Sequence, residues 1–129
     1  MPTALTPDDF LTHLQGHRRL TRRVIEAFPD NKLFGHTIGG MRSFGTMALE
    51  LLGMAVPTVE GVVTGEWQAF EVAGLDSKEA VLKAWDAGTA RIDELWPTIP
   101  ADAWAKVVTA FGQYTMPVNV LLLYIVDNE

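Results

Sequence analysis

The sequence predicts an all-α fold, a four-helix bundle in a single domain over residues 1–129. Three observations lead to it. Apolar residues recur at three- and four-residue spacing through long stretches, clusters of proline and glycine separate those stretches, and no strand–helix alternation runs along the chain. A chain of 129 residues, 48% of them apolar, can bury a core without covalent staples. It has no cysteine, which removes disulfides, thiolate metal sites and thiol nucleophiles and fits a reducing, cytoplasmic setting.

The first helix is expected over about Pro7 to Phe28. Thr6-Pro7-Asp8-Asp9 supplies a hydroxyl cap, a proline in the first turn and carboxylates at the positive dipole end. Phe10, Leu14, Val24, Ile25 and Phe28 form its apolar stripe, and Pro29-Asp30-Asn31 stops it. Arg18, Arg19, Arg22 and Arg23 spread over the opposite side, where a solvated face is expected. After a linker, Pro29 to Gly40, the second helix starts near Met41 or Ser43. Its stripe is Phe44, Met47, Ala48, Leu51 and Ala55, with Leu49, Leu52, Met54 and Val56 making it apolar almost all round. Such a helix is central or covered by a partner, which predicts a homodimer. Pro57 should kink or break it, and Gly61 and Gly65 weaken what continues.

Asp76 with Glu79 reads as the capping pair of a third helix running to about Trp96, stopped by Pro97-Thr98-Ile99-Pro100. A short turn is expected at Ala101 to Ala105, then an extended segment at Val107-Val108-Thr109 ending at Gly112. Met116-Pro117 opens the fourth helix, apolar on every side from Val118 to Val126 and therefore buried and central. At about 13 residues, roughly 20 Å, it is shorter than a first helix of about 33 Å. The fourth helix thus reads as truncated at Asp127-Asn128-Glu129, in a natural protein that extends further.

A net charge of −6 opposes general nucleic-acid binding. Met1-Pro2-Thr3-Ala4 lacks the layout of a secretory leader, and continuous apolar runs fall short of the roughly 20 residues that span a bilayer. No membrane association is expected. No nucleotide-binding glycine loop, nucleophile elbow or metalloprotease helix motif is present.

Two features could carry chemistry. His13 and His17, one turn apart with Asp9 a turn earlier, stack on one helix face and could share a metal. The plainer reading is a buried histidine bonded to a neighbour and a half-exposed one. Glu50 is the sole acidic residue between Met41 and Val59, and a carboxylate in so apolar a stretch needs water, a partner or a metal. His36, in the linker beside Gly39-Gly40, reads as solvated. Trp67, Trp85, Trp96 and Trp104 read as core and loop anchors.

Taken in order, the segments Arg18-Arg19-Leu20-Thr21, Gly39-Gly40-Met41-Arg42-Ser43-Phe44-Gly45, Pro57 with Thr64-Gly65-Glu66-Trp67, Phe111-Gly112, and Leu122 to Glu129 resemble the DinB-like (DinB/YfiT, damage-inducible) family over essentially the whole chain. The resemblance implies a four-helix bundle of up-down-down-up connectivity, often dimeric. It also implies a divalent metal such as zinc, nickel or manganese, held by one histidine on the second helix and two on the fourth. Several relatives are transferases or isomerases that use a low-molecular-weight thiol such as bacillithiol or mycothiol, and others have no assigned activity. The expected function is a metal-dependent hydrolase or thiol-dependent transferase of stress response or detoxification. The other reading is a non-catalytic dimeric binding module. Register with Phe44-Gly45 puts Glu50 where the family has its second-helix histidine, and Tyr124-Ile125-Val126 puts Asn128 at the first fourth-helix histidine. The second falls just past Glu129. Glutamate is a competent ligand for harder ions, whereas an asparagine carbonyl is a poor one.

Overall fold

The structure, a computed structural model, describes residues 4–129. The reading of Met1 to Thr3 as lacking a leader's layout lies outside the described residues. Thr6 starts α1 (Pro7–Ala27) with a reciprocal cap: its hydroxyl accepts from the Asp9 N–H at 3.1 Å, and the Asp9 carboxylate accepts from the Thr6 N–H at 2.9 Å. Those hydrogen bonds hold the Asp9 carboxyl below its ordinary range. The buried stripe of α1 is Leu14, Arg18, Thr21 and Ile25, with Gln15 beside it, while Val24 is exposed. Four of the five expected stripe residues, Phe10, Leu14, Ile25 and Phe28, do face the core; Val24 does not, and Arg18, expected on the solvated side, lies among them.

The second expected helix is two. α2 (Phe44–Leu52) is capped by Ser43, whose hydroxyl accepts from the Thr46 N–H, and α3 (Ala55–Thr64) follows after Gly53 and Met54. Pro57 does not make the break. It is the third residue of α3, in the first turn, where a missing N–H leaves no intrahelical bond unmade. Gly65, in the left-handed region at φ 78°, closes α3, and Gly61 lets the Trp67 ring lie against its backbone where a Cβ would collide. By length and composition alone, Phe44–Thr64 could cross a bilayer. Its residues are instead shared between the cores, against α4 (Lys78–Leu95). The cap of α4 is Ser77, accepting from the Ala80 N–H at 3.2 Å, and the expected Asp76–Glu79 pair lies one residue out of register.

After a tight turn at Trp96–Thr98, the chain forms an antiparallel hairpin, β1 (Val107–Ala110) and β2 (Tyr114–Pro117), paired Val107 to Pro117 and Ala110 to Tyr114. The all-α expectation is corrected to a mostly helical fold with this small sheet. Met116-Pro117 belongs to β2, so α5 (Val118–Asn128) begins later, its first N–H groups accepted by the carbonyls of Lys106 and Trp104. Nor is α5 buried all round: Val118, Leu121, Leu122, Ile125 and Val126 are buried, while Val120, Leu123 and Tyr124 are exposed. The central helix is α4, which packs on α1, α2 and α3. One core cluster gathers Leu14, Val59, Ile92 and Leu122, and the other Ile25, Leu33, Leu52 and Trp85.

Candidate functional site

Three of the four residues singled out as metal ligands line one cavity of about 420 Å³ between α1, α2 and the end of α5: His17, Glu50 and Asn128. Helical periodicity delivers each. His17 is on the flank of α1 beside Arg18, Glu50 is one turn beyond Met47 on α2, and Asn128 closes α5. Leu20, Val24, Phe44, Met47, Leu51 and Met54 supply apolar walls, and Arg42 enters from the linker. His13 is exposed and faces a separate, shallower depression with His17 and Asp9. Its ring meets that of His17 edge to face, centroids 4.6 Å apart. His36 is exposed.

The Glu50 carboxylate is already engaged. Arg42 Nε donates to Glu50 Oε1 at 2.8 Å, and both side chains are about half exposed. Asn128 spends its amide N–H₂ on its own helix, donating to the Tyr124 carbonyl at 2.8 Å. Among the described residues no three His, Cys, Asp or Glu side chains converge as a metal-holding group. One imidazole, one carboxylate paired with a guanidinium and one carboxamide do not fit a divalent ion, which needs several unprotonated, unpaired donors.

Sequence reasoning missed the most constrained polar group of this region. Arg18 is not on a solvated face: its side chain is 1% exposed, and so is that of its partner Glu129, at 3.0 Å. The guanidinium also donates to the Trp85 carbonyl at 3.2 Å and lies over the Trp85 ring, while its Nε and Nη2 reach the Thr89 hydroxyl at 3.4 Å. Trp85 returns a hydrogen bond from its indole N–H to the Arg18 carbonyl at 3.1 Å. Thr21 donates to the Glu129 carbonyl at 3.2 Å. Burial pushes the Glu129 carboxyl up and the Arg18 guanidinium down, because desolvation of each charge outweighs their attraction. The signal was present in the spacing of Leu14, Arg18, Thr21 and Ile25, which is that of one helix face. Hydrophobicity alone cannot see an arginine on that face.

No protein-family model matches the sequence, and no curated protein matches it. In fold, the chain is similar to the crystal structure of mycothiol-dependent maleylpyruvate isomerase, with a TM-score of 0.71, 17% identity, and coverage of 96% of this chain and 57% of that one. A histidine-to-alanine mutant of that isomerase matches with a TM-score of 0.70 at the same identity and coverage. At that identity the likeness is one of fold. The chain spans somewhat more than half the length of the structures it matches.

Proposed function

We propose that the chain is the bundle of a DinB-like enzyme that works with a low-molecular-weight thiol, and that the cavity between α1, α2 and α5 receives its small-molecule substrates. The observation that carries this reading is the convergence of His17, Glu50 and Asn128 on one cavity. The fold it shares with a mycothiol-dependent isomerase supports it. The cavity's chemistry suits such a ligand: Met47, Met54 and Phe44 offer soft apolar contacts to a thioether or thiol, and Arg42 can turn from Glu50 toward a carboxylate. His17 stands in the wall as a candidate to take the thiol proton. In this reading the protein acts in detoxification or stress response in the cytoplasm, with the up-down-down-up connectivity of its family. Metal dependence on zinc, nickel or manganese would need donors besides Glu50 and Asn128.

The test is thiol transfer. Protein given bacillithiol or mycothiol and an electrophilic aromatic chloride should form the S-conjugate faster than the thiol alone, and His17→Ala should lower that rate by about 10²-fold or more. A rate equal to the uncatalysed one with both thiols would sink the enzyme reading. Elemental analysis of untagged protein, run beside it, reads metal dependence separately.

A second reading, a dimeric binding module without chemistry, is favoured by the Arg42–Glu50 pair, which occupies the carboxylate a metal would need. It predicts that chelator leaves the melting temperature unchanged. Exposed Leu20 and Val24 on α1 support the homodimer proposal common to both readings, which sedimentation equilibrium would decide by returning one or two chain masses.

A further inference from the structure

We infer that the chain has a second small-molecule site, one for an uncharged aromatic ligand, in the cavity between α3, α5 and the tip of the hairpin. This cavity also holds about 420 Å³, and Met54 belongs to its wall as well as to that of the first, so the two flank the break between α2 and α3. Their linings differ in kind. Arg42, Glu50 and Glu129 line the first, whereas no charged side chain lines the second, in a chain of net charge −6. Phe70, Phe111, Tyr114 and Tyr124 form much of its wall, and the Tyr114 and Tyr124 rings stack with centroids 6.4 Å apart. Thr58, which is buried, and Gln113 and the two tyrosines, which are exposed, bring hydroxyl and amide groups that can orient a neutral polar substituent. A charged ligand would find no counter-ion in this wall.

Phe111 adds backbone geometry to this. Its φ of 54° lies in the left-handed region, which a bulky side chain adopts only when its surroundings impose it. The hairpin turn imposes it: Phe111 and Gly112 are its two central residues, both at positive φ, and the Gln113 N–H donates to the Ala110 carbonyl at 3.0 Å across them. The Phe111 ring that this turn projects meets the Trp67 ring edge to face at 5.4 Å, and Trp67 is itself seated on Gly61. The stack Gly61–Trp67–Phe111 therefore holds the hairpin tip against α3 and keeps the cavity formed. None of this rests on the thiol reading of the first cavity.

Titration of the full chain with the neutral fluorophore N-phenylnaphthylamine tests the site. Saturable binding with one probe per chain is expected, and the anionic analogue anilinonaphthalene sulfonate should bind about tenfold more weakly because its sulfonate goes unpaired. Ala69→Trp, which fills the cavity from an exposed wall position, should weaken the neutral probe by about tenfold, and Val24→Glu at the other cavity should leave it unchanged. Phe111→Gly serves if Ala69→Trp does not fold: glycine accepts the positive φ without strain, so the turn survives while a wall is lost, and probe affinity should fall. The inference is overturned by absence of saturable binding, by stronger binding of the anionic probe, or by affinity that survives the folded wall variants yet drops in Val24→Glu.

Discussion

A single arginine shows how far a residue's surroundings decide its role. Arg18 shares a run with Arg19, Arg22 and Arg23, yet the first is buried on Glu129 while Arg22 makes exposed pairs with Asp86 and Glu26. Replacing Arg18 by methionine keeps much of the volume but strands the Glu129 carboxylate, so a loss of about 3–5 kcal/mol is expected in urea unfolding. Adding Glu129→Leu should recover most of it, because an apolar pair needs no desolvation. A double variant no more stable than Arg18→Met would show that the pair, and not the stranded charge, holds α1 to α5. Glu129 also sets a pH dependence. Its folded-state carboxyl is raised above the ordinary 4.5, so between that value and the raised one the folded chain holds more protons than the unfolded chain. Stability should therefore fall as pH rises through that window, and Glu129→Gln should flatten the slope. Asp9 and Asp86 are lowered from 3.8 by their hydrogen bonds, and their contribution is lost only as pH falls through still more acid values. The two effects are separable in one set of melting curves.

At the scale of elements, hydrogen-bond accounting at the ends explains where sequence reading succeeded and where it slipped. The cap at Thr6 was legible because hydroxyl, proline and carboxylate all fall in one short motif. Around α4, Asp76 and Ser77 are both competent caps, and composition cannot separate neighbours. The backbone of Ser77 is extended and its hydroxyl takes the Ala80 N–H, so Ser77→Ala should cost about 1 kcal/mol and Asp76→Ala a few tenths at most, measured by chemical denaturation. Equal losses would restore the other assignment. The break after α2 was legible in kind but not in place. Pro57 drew attention, yet a proline in a first turn continues a helix, and the chain turns at Gly53 instead. Gly61→Ala tests the neighbouring contact: the added methyl meets the Trp67 ring, so a loss of about 1–3 kcal/mol and a shifted tryptophan emission are expected.

Across the whole molecule, the candidate site is made of residues that are far apart in sequence and unremarkable one by one. Glu50 stood out as a lone carboxylate in an apolar stretch, Asn128 was named only through a resemblance, and His17 through its spacing to His13. Their meeting in one cavity depends on α1, α2 and α5 lying side by side. The partner of Glu50 was not foreseen, since Arg42 is eight positions away across a helix start and its reach depends on the path of the linker. That pair should be weak, being half exposed: Arg42→Ala is expected to change stability by about 0–1 kcal/mol, while weakening any carboxylate-bearing thiol bound in the cavity. A large stability loss instead would make Arg42 a structural residue.

The sequence by itself determined the helical content, the first helix and its cap, the extended segment before Gly112 and the tryptophan anchors, because each depends on periodicity or on neighbours within a few residues. Only the tertiary structure decided that Arg18 is buried, that β2 pairs back on β1, that α4 is the central helix, and that Glu50 faces Arg42. Those outcomes depend on which surfaces meet. A charge, a strand edge or a carboxylate takes its role from a partner supplied by a distant part of the chain, and periodicity does not record distant partners.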